Sequence, residues 1–402
     1  MANEETKHER AWQLVAERSP LVSAIESQGY FIVKADDLKA WGEREPRLMA
    51  KLDSLTDRPQ IFKRHKLNIL PLDRGTYIIF RDIDNKCYFQ LPDSDDKTKV
   101  TEFRPRADLS HLDTLSKALC SGESEAVDLA FHSSLLSSFC NTGELRLTRR
   151  GRFGSGFFKL TLPDSSHEPR IQNAQIEVDS VFESTDTVVL IEAKMGFRHN
   201  FHIRPLHYPF MWLSSRTDKP IRSVLLCYSN GEFQLTEFTL SSRFGEISLV
   251  KQESFVIDEP AVTPVRLDHI VRFLPSPEEA AEIPFPQADD LDKVIDTVRA
   301  VQEGFWQTHD LVARFGYVER QAGYYTNAAR YLGFLSSTRQ PELTMTGHRL
   351  VSDRNRVNRT EIVLKGILTR PALRQAVTLL RDREYKVANV NHGELKTLIS
   401  SL

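Results

Sequence analysis

The sequence has few cysteines, no long apolar run and no excess of charge of either sign. Its four cysteines lie far apart, and no pair has the C-x-x-C spacing typical of zinc and redox sites. No segment approaches the roughly 18 apolar residues of a membrane span, and the charged N-terminus lacks the apolar region of a signal peptide. We therefore expect buried, reduced thiols and a cytoplasmic protein without a membrane span.

The formal net charge is −2 over 402 residues, from 53 Lys and Arg against 55 Asp and Glu. This balance excludes a global electrostatic attraction to nucleic acid or to acidic lipid, so any basic binding surface must be local. The length allows two or three domains, each large enough to bury its own core.

Strand-like and helix-like spacings of apolar residues follow one another along the chain, which predicts an α/β or α+β fold. The segment "PSPEEAAEIPFPQADD" combines four prolines with five acidic residues, a composition typical of a linker. We predict an N-terminal α+β domain, a central mixed-sheet domain, this linker and a C-terminal helical domain, which cover residues 1–110, 111–274, 275–290 and 291–402.

Two apolar strands with charged ends occur in "QIEVDSVFESTDTVVLIEAKMG", residues 175–196. Because side chains alternate along a strand, Glu177 and Asp179 share one face of the first strand, and Glu192 and Lys194 share one face of the second. The "STD" between the strands is typical of a turn. An antiparallel hairpin would therefore bring Asp179 close to Glu192 and Lys194.

Neighbouring carboxylates repel each other, and they are tolerated best when they share a hard cation. Magnesium takes one or two protein carboxylates and fills its other positions with water and phosphate oxygens. A lysine beside the attacking water can orient it and lower its pKa. The hairpin thus carries the groups needed for phosphodiester hydrolysis. The alternative, on spacing alone, is a half-solvated sheet edge whose charges face water.

The segments "IEVD" and "VVLIEAK" resemble the PD-(D/E)xK nuclease signature, with Val178 in place of the proline. The resemblance implies that Asp179 and Glu192 are catalytic ligands of Mg²⁺, that the Ala193 carbonyl assists them, and that Lys194 serves the attacking water. Glu177 is an extra acid on the same face and would contact a second ion.

Further segments extend this resemblance over most of the chain: "LNILPLDRGTYII", "LTRRGRFGSGFF" and "FHIRPLHYPF". Together they are similar to one family of bacterial type II restriction endonucleases. The resemblance implies a mixed-sheet, restriction-endonuclease-like core between an N-terminal domain and a C-terminal winged-helix DNA-binding module.

The segment "NTGELRLTRRGRFGSGFFKL", residues 141–160, carries a local net charge of +4, from five basic residues against Glu144. A basic, glycine-rich segment beside a metal site favours contact with DNA phosphates. We predict that Arg149, Arg150 and Arg152 bind DNA. The alternative is a solvated basic loop.

A helix is predicted over residues 204–213, directly after the hairpin. We predict that Arg204, His207 and Tyr208 reach phosphates of the DNA; the alternative is that His207 and Tyr208 pack against the sheet. His199 and His202 have no paired ligands nearby in sequence, so we predict surface histidines rather than a zinc site.

The segment "THDLVARFGYVERQAGYYTNAARYLGFL", residues 308–335, resembles a helix-turn-helix, and residues 336–350 would form the wing. Ala322, Tyr325, Ala329 and Leu332 form an apolar packing stripe at helical spacing. Residue types that read bases and bind phosphates lie on the opposite stripe, where we predict DNA contacts: Arg320, Gln321, Tyr324 and Asn327. The alternative is a packing or dimerisation module.

These features predict a Mg²⁺-dependent type II restriction endonuclease that cleaves a specific double-stranded DNA sequence and leaves 5′-phosphates. Because both strands are cut, a homodimer is the simple expectation. The resemblance also implies a cognate DNA methyltransferase as partner and a prokaryotic cytoplasm as location. The alternatives are a non-catalytic DNA-binding regulator and a repair or mobile-element nuclease without a fixed short target.

Overall fold

The computed structural model describes residues 7–92, 100–106, 119–164, 167–257, 283–353 and 356–382, with the single positions 109, 112, 114, 115, 270 and 274. Over these residues the chain is a mixed α+β protein with fourteen α-helices and a seven-stranded mixed sheet. The mixed fold class is therefore confirmed. Two compact units are formed, one by Met1–Thr101, Ala130–Cys227 and Phe233–Phe255, the other by Glu102–Leu129, Tyr228–Glu232 and Val256–Leu402.

The first unit begins with a small antiparallel sheet and its helices. They are α1 (Lys7–Arg18), α2 (Leu21–Gln28), β1 (Tyr30–Lys34), α3 (Ala35–Gly42), α4 (Pro46–Met49), α5 (Gln60–His65), β2 (Leu67–Pro71) and β3 (Thr76–Arg81). β3 is central and pairs with both β1 and β2. In the turn between β2 and β3 the Gly75 N–H donates to Asp73 Oδ1 (2.7 Å).

The larger sheet follows. The remaining strands are β4 (Tyr88–Gln90), β5 (Thr101–Phe103), β6 (Arg146–Gly154), β7 (Phe157–Lys159), β8 (Arg170–Gln172), β9 (Gln175–Glu183), β10 (Val188–Met195), β11 (Asn200–His202), β12 (Ile221–Ser229), β13 (Glu232–Leu240) and β14 (Ile247–Ile257). The seven-stranded sheet has the order β5-β14-β13-β12-β10-β9-β6, and β11 with β4 and β7 with β8 form two-stranded ribbons. The predicted hairpin is thus β9 and β10, and β6 is an edge strand.

Three helices accompany these strands: α6 (Glu123–His132), α7 (Leu135–Phe139) and α8 (Arg204–Ser214). α8 packs on β9 and β10 and has Pro205 in its first turn, where the missing N–H of proline costs no helical hydrogen bond. The apolar run from Val188 to Ile191 is fully buried. The core beneath it also contains Leu70, Phe80 and Tyr208, so the small sheet and the hairpin share one hydrophobic core.

The second unit is mainly helical. It contains α9 (Leu291–Gln302), α10 (Thr308–Phe315), α11 (Glu319–Tyr331), α12 (Met345–Ser352), α13 (Arg356–Leu368) and α14 (Pro371–Asp382). The two predicted helices α10 and α11 are present, and Gly316 between them has a φ of +68°, the left-handed conformation that glycine adopts without strain. The predicted apolar stripe of α11 is buried.

A buried polar network lies within the second unit. Asp296 on α9, which is 6% exposed, accepts hydrogen bonds from Ser229 Oγ (2.6 Å) and from the Asn230 N–H (3.3 Å). Burial raises the pKa of Asp296 to about 7, against the lowering effect of the Ser229 hydroxyl. Arg359 on α13 donates to both Oδ1 and the main-chain carbonyl of Asn230, each at 3.0 Å.

The predicted wing is largely replaced by a helix. Over residues 336–350 the strand pairing is reduced to one antiparallel bridge between Leu335 and Leu343, and α12 begins at Met345. The reason is local, because Thr344 Oγ1 accepts the Gly347 N–H (3.0 Å) and so caps α12. The wing expected from the sequence is therefore corrected to a turn followed by a helix.

Three other sequence predictions concern the cysteines, membrane-spanning helices and the linker. All four cysteines are buried and free of disulfides, as predicted. None of the helices in the described part of the chain is long and apolar enough to cross a membrane. Residues 275–282 of the predicted linker lie outside the described residues, while 283–290 contain no helix or strand.

Candidate active site

The hairpin brings Asp179 to the charged end of β10. β9 and β10 pair in antiparallel register up to Ile191 opposite Ser180, and Glu192 and Asp179 are the next residues along the two strands. The Asp179 carboxylate is held by a strong bond, since Oδ2 accepts the Ala193 N–H at 2.7 Å. The predicted proximity of these side chains is therefore present in the fold.

The Lys194 ammonium contacts two of the oxygen atoms that are predicted to bind a metal ion. Its Nζ donates to Glu192 Oε1 (2.5 Å) and to the Ala193 carbonyl oxygen (3.0 Å). Glu192 is only 7% exposed, and a carboxylate buried to this extent requires a nearby cation. The ammonium of Lys194 supplies that charge.

The donor set fits Mg²⁺ in its chemistry. Two carboxylates, Asp179 and Glu192, and the Ala193 carbonyl present hard oxygen atoms, and magnesium is usually held by one or two protein carboxylates. That a cationic ammonium lies across Glu192 and Ala193 shows that these oxygens already favour positive charge. Among the described residues, no group of three or more His, Cys, Asp and Glu side chains is placed to hold a metal ion.

Glu177 and Arg152 form an ion pair with each other. Arg152 Nε lies 2.9 Å from Glu177 Oε2, and both side chains are 55% exposed. The two residues face each other across the pairing of β6 with β9. The predicted roles of Glu177 toward a second metal ion and of Arg152 toward DNA would each require this pair to separate.

Arg150 and Arg149 on β6 have different surroundings. Arg150 Nε donates to the main-chain carbonyl of Asp179 (3.0 Å) and to Ser180 Oγ (3.1 Å), so it supports the strand that carries Asp179. Arg149 stacks over the rings of Phe153 (4.1 Å) and Trp212 (5.0 Å).

β6 is an edge strand of the sheet, and its arginines are exposed although each has a partner within the chain. Its register with β9 shifts between Leu147 and Arg149 and again between Arg149 and Gly151. Such irregularities and the row of cationic side chains disfavour pairing with another strand. β6 therefore presents a basic surface at the edge of the sheet that bears Asp179.

Tyr208 is a core residue. It is 1% exposed, and its hydroxyl donates to the Pro71 carbonyl (3.0 Å); burial strongly raises its pKa. His207 is likewise buried. These placements correct the prediction that Tyr208 and His207 contact DNA and support the packing alternative. Arg204, the first residue of α8, is partly exposed.

His202 corrects a second expectation, since it is buried rather than on the surface. It is 6% exposed, its Nε2 lies 3.2 Å from Asn68 Oδ1, and its Nδ1 accepts the Arg204 N–H (3.1 Å). Burial, helped by the charge of Arg204, lowers its pKa to about 3. His202 is therefore neutral and positions the start of α8. His199 is exposed, as predicted.

Asp53 is a neighbour of the site that the sequence did not reveal. Its main-chain carbonyl accepts the His202 N–H (2.9 Å), and a shallow depression is lined by Asp53, His202 and Arg204. Burial raises the pKa of Asp53, but the charges of Lys51, Lys194 and Arg204 outweigh it and hold the pKa below its usual value. Since Asp53 lies in no recognisable motif, only the tertiary structure connects it to Lys194.

The four residues predicted to read DNA in the second unit lie on α11. Arg320 is exposed and lies over the Tyr324 ring (5.6 Å). Gln321 Oε1 accepts the Val318 N–H (3.1 Å) and so caps α11, and Asn327 Oδ1 accepts from Arg330 (3.4 Å). The exposed Arg320 and the half-buried Tyr324 thus form a cationic and aromatic pair, while Gln321 and Asn327 have structural partners.

Comparison with known proteins divides the chain into three matched regions. Residues 83–256 are similar to a domain of unknown function, DUF6997, residues 9–79 to DUF6996 and residues 293–392 to DUF7226, two further domains of unknown function. No curated protein and no solved structure gives a significant match to the chain. The hairpin with Asp179, Glu192 and Lys194 lies wholly in the first of these regions, and Asp53 lies in the second.

Proposed function

We propose that this protein is a Mg²⁺-dependent nuclease of the PD-(D/E)xK type that hydrolyses phosphodiester bonds in double-stranded DNA. The observation that carries the proposal is the hairpin end, where the Asp179 carboxylate is held by the Ala193 N–H while Glu192 and the Ala193 carbonyl share one positive charge. A sheet edge whose charges only face water would not bury Glu192 to 7% exposure.

The proposed reaction is an in-line hydrolysis. When bound, Mg²⁺ would neutralise charge that develops at phosphorus and increase the acidity of water. Asp179 and Glu192 would hold the ion, and Lys194 would orient the attacking water, whose oxygen bonds to phosphorus as the bond to the 3′-oxygen breaks. The attacking water releases a proton to solvent and the 3′-oxygen takes one up, which leaves a 3′-hydroxyl and a 5′-phosphate.

The groups proposed to contact DNA lie on three elements. Arg149 and its neighbours line the exposed edge strand β6 beside Asp179, where they would contact phosphates. Arg320 and Tyr324 on α11 provide a second cationic surface with residue types used for groove contacts. Arg204 at the start of α8 would act on the phosphate next to the reacting one.

Within this chemistry we assign the protein to type II restriction endonucleases, on the resemblance of its motifs. Such an enzyme would act as a homodimer, because both strands must be cut, and would work beside a DNA methyltransferase that protects the host sequence. The dimer is tested by light scattering on the protein with and without DNA; a monomer in both states would contradict it.

The decisive experiment is incubation of the purified full chain with unmethylated phage DNA, with Mg²⁺ and with EDTA. Discrete fragments only with Mg²⁺, carrying 5′-phosphates, are expected. A smear would replace the restriction assignment with a repair or mobile-element nuclease. Intact DNA with Mg²⁺, combined with measurable DNA binding, would contradict hydrolysis and favour a DNA-binding regulator.

A further inference from the structure

The segment that carries Asp53 is attached to the site by its main chain. The Asp53 carbonyl accepts the His202 N–H (2.9 Å), and the Leu55 N–H donates to Asn200 Oδ1 (2.8 Å). Both partners lie on β11, the strand that follows β10 and Lys194 in the chain. The position of Asp53 therefore does not depend on its own side chain.

The Asp53 carboxylate lies among positive charges. Lys51 Nζ is 3.3 Å from Oδ2, and the Asp53 side chain is 46% exposed. Lys194 and Arg204 act on the same carboxylate, and Arg204 lines the same depression. A carboxylate from the N-terminal part of the chain thus lies within electrostatic reach of Lys194, whose ammonium also contacts Glu192.

A cation that binds at the hairpin end would compete with the Lys194 ammonium for the same oxygen atoms. The ammonium occupies Glu192 Oε1 and the Ala193 carbonyl, which are two of the proposed ligand atoms. Two cations cannot share these oxygens at such distances, because they repel each other and compete for the same lone pairs. The ammonium must leave, and leaving a partly buried position is costly unless another anion receives it.

We propose that Asp53 is the positioning residue that receives the Lys194 ammonium when a divalent cation binds at Glu192 and the Ala193 carbonyl. This inference rests on the proposed function. The flexible four-carbon stem of lysine allows such a movement, and an ammonium held by Asp53 remains beside the site, where the attacking water needs it. The region of residues 9–79, which carries Asp53, then completes the site on the region of residues 83–256.

The test is a double-mutant cycle on cation affinity in the absence of DNA, with Mn²⁺ as the probe and free Mn²⁺ measured by electron paramagnetic resonance. Asp53→Asn is expected to weaken Mn²⁺ binding about threefold to tenfold, the range of a partly exposed charge pair. In the Lys194→Met background, where no ammonium has to move, Asp53→Asn is expected to have no effect.

Matched variants separate this role from a structural one. Asp53→Glu keeps the charge and is expected to bind Mn²⁺ like the wild type, whereas Asp37→Asn removes an exposed charge of the same region and is expected to change nothing. Thermal unfolding of each variant confirms folding, and the main-chain bond to His202 persists in all of them.

Three results would overturn the inference. Unchanged affinity in Asp53→Asn, with Mn²⁺ still bound by the wild type and lost in Glu192→Gln, would remove the role of Asp53 and leave the proposed function intact. If Asp53→Asn lowered Mn²⁺ affinity equally in the wild-type and Lys194→Met backgrounds, Asp53 would act directly on the cation. Absence of any Mn²⁺ binding by the wild type would contradict both the inference and the proposed function.

Discussion

Replacing Asp179 by asparagine or by alanine separates its charge from its hydrogen bond. In the wild type, Asp179 Oδ2 accepts the Ala193 N–H at 2.7 Å. Asparagine retains an oxygen that can accept this hydrogen bond, while alanine removes the acceptor. Both variants remove the negative charge needed to hold a cation. The two substitutions should therefore differ in stability and agree in activity.

The magnitudes follow from the contact. A hydrogen bond to a charged group contributes about 1.5–3 kcal/mol, so Asp179→Ala should lower the free energy of unfolding by about 2 kcal/mol. In a unit of this size such a loss lowers Tm by roughly 4–8 °C. Asp179→Asn should lower the free energy of unfolding by less than half as much as Asp179→Ala. Cleavage by either variant should fall by about 10³-fold or more, as when an essential charge-stabilising group is removed.

The assay compares initial cleavage rates on one DNA substrate with DNA affinity from fluorescence anisotropy and with thermal unfolding. Loss of cleavage with unchanged DNA affinity in Asp179→Asn is the expected pattern. If Asp179→Asn cleaves at more than about a tenth of the wild-type rate, Asp179 is not a metal ligand and the assignment of the hairpin is refuted. A matched Asp37→Asn variant controls for the general loss of one charge.

Other predictions concern positions away from the hairpin acids. Arg150→Lys should lower the cleavage rate about 10–100-fold, the usual cost of a lost supporting contact, without changing the salt dependence of DNA binding; an unchanged rate would contradict its support of Asp179. Arg320→Ala should weaken DNA binding and lower the slope of log affinity against log salt by about 1, and an unchanged slope would favour the packing alternative for α11. Because the pKa of Asp296 is raised to about 7 in the folded chain, the unfolded state loses its proton first, so stability falls as pH rises from about 4 to about 7, by up to about 4 kcal/mol. Urea unfolding against pH should show this fall in the wild type and a smaller one in Asp296→Asn.

The hairpin was predictable from sequence because its information is local. Alternation along β9 and β10 assigns Asp179, Glu192 and Lys194 to their faces, and a short turn forces the antiparallel pairing. The helix after the hairpin and the pair α10 and α11 were predictable for the same reason, since spacing and Gly316 define them without reference to distant residues.

The rest of the site depends on contacts between distant parts of the chain. Tyr208 and His202 are residue types that occur both inside and on the surface, and their burial is decided by Pro71 and Asn68 on β2. Asp53 is one of many acidic residues, and only its bond to His202 brings it near Lys194. The prediction of a wing was wrong because the cap at Thr344 starts a helix where a hairpin was expected.

The core shared by the small sheet and the hairpin has a consequence for how this protein can be divided and inherited. Leu70, Phe80 and Tyr208 pack in one cluster, although Leu70 lies in the matched region of residues 9–79, Phe80 lies just after it, and Tyr208 lies in the region of residues 83–256. A fragment that begins at residue 83 would expose these apolar surfaces and leave the Tyr208 hydroxyl without Pro71. The regions of residues 9–79 and 83–256 therefore share one core, and recombination between relatives should keep the two regions together.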